Sequence, residues 1–118
     1  MTFRDLLKQA DKKLKEAEKL NRKIAEILVA ELKDIIPGLK YTIGWAKAGI
    51  ETICLYSDKF DLKSLDEDYE FLDWTIEEAL PEFKKTLSIQ SPFCAYISKE
   101  EAEKIKEKLK KLRNKKIS

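Results

Sequence analysis

The amino-acid sequence predicts a single α+β domain spanning residues 1–118, and three observations predict it. Apolar residues recur every three or four positions from Phe3 to Ile35. Two runs with strand-like alternation follow, at 39–45 and 50–57, and helical spacing returns after Ser98. A chain of 118 residues with 43% hydrophobic and 39% charged residues is long enough to bury a core without disulfides or metal. The expected order is a long N-terminal helix, an antiparallel hairpin, an acidic helical segment, a third strand and a basic C-terminal helix.

The first helix is expected over residues 3–36, because nothing interrupts it before Pro37 and Gly38. Ile24, Ala25, Ile27, Leu28, Val29, Leu32, Ile35 and Ile36 cover most of its second half, which belongs in the core. Phe3, Leu7, Ala10, Leu14, Ala17 and Leu20 form only a narrow seam in the first half. One such helix would be about 50 Å long. A globule of this size has a radius of gyration of only about 13–14 Å. Residues 1–21 are therefore expected to project and to pair with a second copy as a homodimer. The competing outcome is a break near Asn21 that folds them back.

The hairpin is read from Tyr41, Ile43 and Trp45 alternating with Lys40, Thr42 and Gly44, and from a short connection ending in Gly49. Residues 64–86 carry eight acidic residues and two lysines. Ser64 with Glu67, and Thr75 with Glu78, have the capping-box spacing. One helix kinked before Pro81, or two short helices meeting near Asp73, fits Leu65, Tyr69, Leu72, Ile76, Leu80 and Phe83. Leu87–Ile97 reads as a third strand, and Pro92 makes it an edge or a bulge. Ser98 and Glu101 form a third capping box, ahead of a stripe of Ala102, Ile105, Leu109 and Leu112. The expected core includes Leu28, Ile35, Ile43, Trp45, Ile53, Ile89 and Ile105.

Several functions lose ground on composition. There is no histidine, which removes the usual general base and the commonest metal ligand. Gly38, Gly44 and Gly49 are the three glycines, and no phosphate-loop pattern is present. Cys54 and Cys94 lie within apolar runs, without the spacing of a zinc site, and read as small hydrophobes. No catalytic residue, metal or cofactor is assigned, and no small-molecule substrate is evident. No apolar run is long enough for a membrane helix and no leader is visible, so the expected location is cytoplasmic. Lysine and glutamate enrichment with two Gln and two Asn is the compositional signature of a thermophile. A small, charge-rich chain also fits a protein encoded by a virus or mobile element, an expectation carried by no particular residue.

Three functional classes remain. The leading one is a small non-enzymatic protein-interaction module, an inhibitor or adaptor that binds a protein partner. Its expected contacts are Phe3, Leu7 and Leu14 on the seam and the carboxylates Asp66, Glu67, Asp68 and Glu70. Those carboxylates also suit a helix first turn, where negative charge meets the positive dipole end. The alternative is a nucleic-acid binder using Lys106, Lys110, Lys111, Arg113 and Lys115 of the basic helix. Against it, the glutamates of that helix crowd its N-terminal turn, and Arg113 is its one arginine. The third class is a metal-dependent nuclease. Glu51, Asp61 and Lys63, with Glu26 or Glu31, resemble the metal-binding arrangement of restriction-type nucleases. The Pro-Asp that normally precedes that triplet is absent, and a charged strand edge accounts for the same residues.

Overall fold

The chain opens on a helix capped by its own second residue. In the computed structural model, which describes residues 1–12, 18–45, 51–57, 69–84, 88–90 and 96–117, helix α1 is Phe3–Lys12. The Thr2 amide donates to Asp5 Oδ2 at 3.0 Å, and the Asp5 amide donates to Thr2 Oγ1 at 3.2 Å. This reciprocal pair satisfies two of the donors a helix start leaves open. Phe3, Leu6, Leu7 and Ala10 then fall on one stripe, and all four are buried.

Helix α2 is Glu18–Leu32, and it packs against α1. The single helix expected over 3–36 is therefore two. Residues 13–17 lie outside the described residues, and Asn21, the expected place of a break, lies inside α2 and is buried. The physical reason is length. One continuous helix of about 50 Å would exceed the longest dimension of the molecule, 42 Å. Two packed helices bring both apolar stripes into one core. Residues 1–12 consequently do not project, and the radius of gyration is 13.7 Å.

After Leu32 the chain leaves the helix through turns in which the Ile36 amide still donates to the Leu32 carbonyl at 2.9 Å. Gly38 has a φ of 74°, which a residue with a Cβ rarely adopts, and it turns the backbone into strand β1, Leu39–Trp45. Strand β2 is Glu51–Ser57 and pairs antiparallel with β1, as the alternation predicts, with Leu39 opposite Ser57 and Trp45 opposite Glu51. Leu39, Tyr41 and Ile43 share a face with Ser57, Leu55 and Ile53, and α2 packs on this hairpin. The Tyr41 hydroxyl reaches Glu26 Oε1 of α2 at 3.0 Å. The Ser57 hydroxyl donates to the Pro37 carbonyl at 2.6 Å, fixing the far end of the pair.

The acidic segment departs from its expected helix. Tyr69–Phe71 forms strand β3, and helix α3 is Leu72–Ala79. Thr75 is no N-cap: it is buried inside α3 and its hydroxyl donates back to the Phe71 carbonyl at 2.8 Å. The proposed cap Ser64 with Glu67 lies outside the described residues. Leu80 precedes Pro81 and leaves helical dihedrals there, and a 3-10 turn follows at Pro81–Lys84.

The expected third strand is also two. Strand β4, Ser88–Gln90, runs parallel to β2 and completes a sheet in the order β1-β2-β4. Strand β5, Tyr96–Ser98, pairs antiparallel with β3 in a separate two-stranded sheet. Helix α4, Lys99–Arg113, begins on the expected capping box: Ser98 Oγ accepts from the Glu101 amide at 3.1 Å, and the Ser98 amide donates to Glu101 Oε1 at 3.0 Å.

All four helices, the 3-10 turn and strands β1, β2, β4 and β5 contribute to one apolar cluster, from Phe3 and Leu7 through Leu28, Ile53, Ile76 and Phe83 to Ile89, Ile105 and Leu112. Leu28, Ile53, Ile89 and Ile105 are buried as expected, whereas Ile35 and Ile43 are half-buried at its margin. They sit at the helix exit and near the hairpin end, where fewer elements cover them. The Trp45 side chain lies outside what is described. Cys54 is a half-buried free thiol. The chain ends meet: Thr2 and Lys116 form an antiparallel bridge, flanked by Phe3 N–H to the Lys115 carbonyl (3.1 Å) and Ile117 N–H to the Met1 carbonyl (2.8 Å). No described helix is long and apolar enough to cross a membrane.

Candidate functional site

The seam expected on the first helix is not available as a surface. Phe3 and Leu7 are fully buried against the chain's own α2, 3-10 turn and α4. A helix that folds back covers the stripe that a projecting helix would have exposed. Leu14 lies outside the described residues, as do Asp66, Glu67, Asp68, Asp61 and Lys63. Glu51 is placed in β2 by its backbone alone. No group of three metal-ligating side chains occurs among the described residues.

The acidic segment retains a defined face at α3. Leu72, Thr75, Ile76 and Ala79 turn inward and are buried. The opposite arc consists of Asp73, Trp74, Glu77 and Glu78. Trp74 is 66% exposed, and besides Met1 it is the one large apolar side chain found exposed among the described residues. Its ring meets that of Phe71 with centroids 4.7 Å apart and planes tilted by 57°. The indole is thus braced from behind while most of it faces water. Trp74 was not among the residues singled out from sequence. The signal was present, since the stripe of Leu72, Ile76 and Leu80 puts position 74 on the opposite side of the helix.

Lys106 of α4 borders this face and holds three carboxylates. Its Nζ lies 3.7 Å from Glu70 of β3, 3.2 Å from Glu78 of α3 and 3.7 Å from Glu103 of its own helix. The Lys106 side chain is only 15% exposed. The hydrogen bond to Glu78 lifts its pKa above the ordinary lysine value; burial opposes this, and the three negative charges add to it. Of the expected partner-binding carboxylates, Glu70 is the described one, and it shares Lys106 with Glu78 of α3.

The basic helix is less free than its sequence suggests. Lys106, expected at a phosphate, is committed to the three glutamates. Arg113 donates through Nε and Nη2 to Glu82 Oε1 at 3.1 and 2.7 Å, with Arg4 Nε 3.3 Å from the same oxygen. Lys108 Nζ donates to the Glu31 carbonyl at 3.3 Å and lies 3.5 Å from Asp34, closing the C-terminal end of α2. Lys111 pairs with Glu107 at 3.5 Å on the exposed surface. Lys110 and Lys115 are exposed without a carboxylate partner among the described residues. The residues expected to form one phosphate-binding row are thus split between internal pairs and a few outward lysines. A groove of about 430 Å³ opens between the end of α2 and α4, lined by Asp34, Ile35, Lys104, Glu107, Lys108 and Lys111. Two of its three lysines are already paired with its two carboxylates.

Comparison with protein-family models, with curated proteins and with solved structures gives no match for this chain.

Proposed function

We propose that the protein is a non-enzymatic interaction module, an inhibitor or adaptor that binds a protein partner through the solvent face of α3. The observation that carries this reading is the exposure of Trp74, 66%, in the middle of an arc otherwise made of carboxylates. Tryptophan is the residue type most enriched at binding hot spots, and leaving one in water is unfavourable unless something covers it. The contact with Phe71 restricts the indole before any partner arrives, which reduces the ordering cost of binding. The short helix itself is held by its buried face, so the surface is presented on a fixed element.

The test is a comparison of two baits in an extract of the native cells. Wild-type chain and Trp74→Ala are immobilised at equal density and the retained proteins are identified. The reading expects a specific protein kept by wild type and lost with Trp74→Ala. Identical sets retained by both baits would overturn it.

The nucleic-acid reading draws support only from the outward lysines, Lys110, Lys111 and Lys115. Neutralising all three as Gln should abolish any retardation of DNA or RNA while leaving the fold intact. Salt-insensitive binding, or none by the wild type, would remove that reading.

A further inference from the structure

We infer that Arg4 of α1 and Arg113 of α4 form a binding site for a phosphate monoester, with Lys110 beside them and the buried Glu82 carboxylate holding both guanidiniums in place. The site is separate from the α3 face and does not depend on that face binding a protein.

Geometry is the first observation. Glu82 Oε1 accepts from Arg113 Nε and Nη2 at 3.1 and 2.7 Å, and Arg4 Nε lies 3.3 Å from the same oxygen. Nitrogens that meet at one atom in this way are at most about 6 Å apart, a span that one tetrahedral oxyanion can bridge. A guanidinium carries five N–H donors. Glu82 takes two from Arg113 and no more than one from Arg4, and neither side chain has a further ion pair or hydrogen bond among the described residues. The Arg4 side chain is 46% exposed and that of Arg113 30%, against 10% for Glu82. The carboxylate is thus enclosed, whereas the guanidiniums reach the surface with donors unused.

Charge is the second. One carboxylate needs one guanidinium, and Arg113 alone supplies it with two bonds. Arg4 adds a like charge that Glu82 does not balance, so two guanidiniums and one carboxylate leave one positive charge over. Lys110 lies three residues before Arg113 on α4, the spacing that makes helix side chains neighbours. It is exposed and has no carboxylate partner among the described residues, so it brings the local excess to two. A phosphate monoester near neutral pH carries the matching charge. A carboxylate or a phosphodiester, with one charge each, would leave half of that excess unmatched. Asp5, next to Arg4 in α1, accepts from the Thr2 amide at 3.0 Å. The planar fork of arginine fits phosphate oxygens as an ammonium does not, and two of the chain's three arginines meet here.

The experiment follows the three arginine Nε–H signals of the isotope-labelled full chain by NMR while methyl phosphate is added at constant ionic strength. Arg22 of α2, which hydrogen-bonds Tyr41, is the internal control. The inference expects the Arg4 and Arg113 signals to shift along one saturable curve while that of Arg22 stays in place. Dimethyl phosphate and acetate, titrated in parallel, should bind about tenfold more weakly. Arg4→Gln should raise the methyl phosphate midpoint read at Arg113 on the order of tenfold, and Lys110→Gln should raise it less. Amide spectra of both variants check folding, and the exposed Lys110 keeps the test open if Arg4→Gln does not fold. Shifts that never saturate, or that are equal at Arg22, would overturn the site as general salt screening. Equal binding of dimethyl phosphate would overturn the monoester, and equal binding of acetate would overturn phosphate as the ligand. A midpoint unchanged by both substitutions would overturn the assignment to these residues.

Discussion

Arg113 and Glu82 are joined by two hydrogen bonds that converge on one oxygen, Oε1, at 3.1 and 2.7 Å. The Glu82 side chain is only 10% exposed, Arg4 lies 3.3 Å from the same oxygen, and Oε2 has no hydrogen-bond partner among the described residues. Two of the chain's three arginines thus converge on one buried carboxylate. They tie the start of α1 and the end of α4 to the 3-10 turn. Removing one partner leaves a buried charge with less compensation, which costs more than an exposed pair contributes. Arg113→Ala should therefore lower stability by on the order of 2 kcal/mol. The urea midpoint measures it, and a midpoint equal to wild type would show that Arg4 alone suffices.

The same cluster sets an acid limit. Burial presses the Glu82 carboxyl upward, but the Arg113 hydrogen bonds, the residue's own amide and the charges of Arg113 and Arg4 outweigh it and hold the group below its ordinary 4.5. A carboxyl depressed on folding contributes stability that is fully present above the unfolded value. That contribution is lost as pH falls through the folded value. Wild type should thus lose stability as pH drops below about 4.5. Glu82→Gln should be less stable at neutral pH and show a shallower acid slope. Parallel slopes for the two proteins would assign the acid limit to other carboxylates, such as Asp5, whose bonds to Thr2 also lower it.

At the alkaline end Lys106 has the opposite sign. Its pKa is raised on folding, so its contribution is complete below the ordinary 10.5 and is lost as pH rises through the folded value. Tyr41 behaves likewise, raised first by burial and then by its bond to Glu26. Lys106→Met should flatten part of the alkaline decline and leave the part due to Tyr41. A decline unchanged in Lys106→Met, measured by thermal denaturation across this range, would contradict the triple pairing with Glu70, Glu78 and Glu103.

How much of this was legible in the sequence depends on how local each signal is. The antiparallel β1-β2 hairpin, the Ser98 cap and the stripe of α4 follow from neighbours a few residues apart, and the structure has them as read. The division of the first helix was not legible. Leu14, Ala17 and Leu20 continue the helical spacing with no Pro or Gly, so nothing local marks a division between α1 and α2. What decides it is tertiary: Phe3, Leu6 and Leu7 enter the common core only if α1 folds onto α2. Strand β3 was hidden for a similar reason, since Tyr69 fits a helical stripe and becomes a strand through pairing with residues 96–98. Trp74 could have been found by asking which large apolar residue the helical stripe leaves outside.

The division of that first helix has a direct test. Leu7 is fully buried, so Leu7→Ala should cost about 2–5 kcal/mol, and Leu28→Ala of α2 should cost a similar amount. A projecting helix would respond differently, because truncating an exposed seam changes self-association and leaves the denaturation midpoint near wild type. Sedimentation alongside urea denaturation separates the two. A Leu7→Ala protein with unchanged midpoint would contradict the buried position of α1.

The meeting of the chain ends changes what deletion of the basic tail can report. Lys115 and Ile117 are joined to Phe3 and Met1 through backbone hydrogen bonds at 3.1 and 2.8 Å, and the bridge pairs Thr2 with Lys116. These bonds secure the start of α1 immediately beside its Thr2–Asp5 cap. Removing residues 114–118 takes away charge and this anchor together, so a lost interaction could arise from either. The deletion should speed amide exchange in α1, with Phe3 the first to lose protection, and leave β1 and β2 protected. Replacing Lys115 and Lys116 by Gln removes the charge but keeps both backbone bonds, so α1 exchange should remain at the wild-type rate. Equal acceleration in the deletion and the double substitution would show that charge, and not the backbone pairing, holds the ends together.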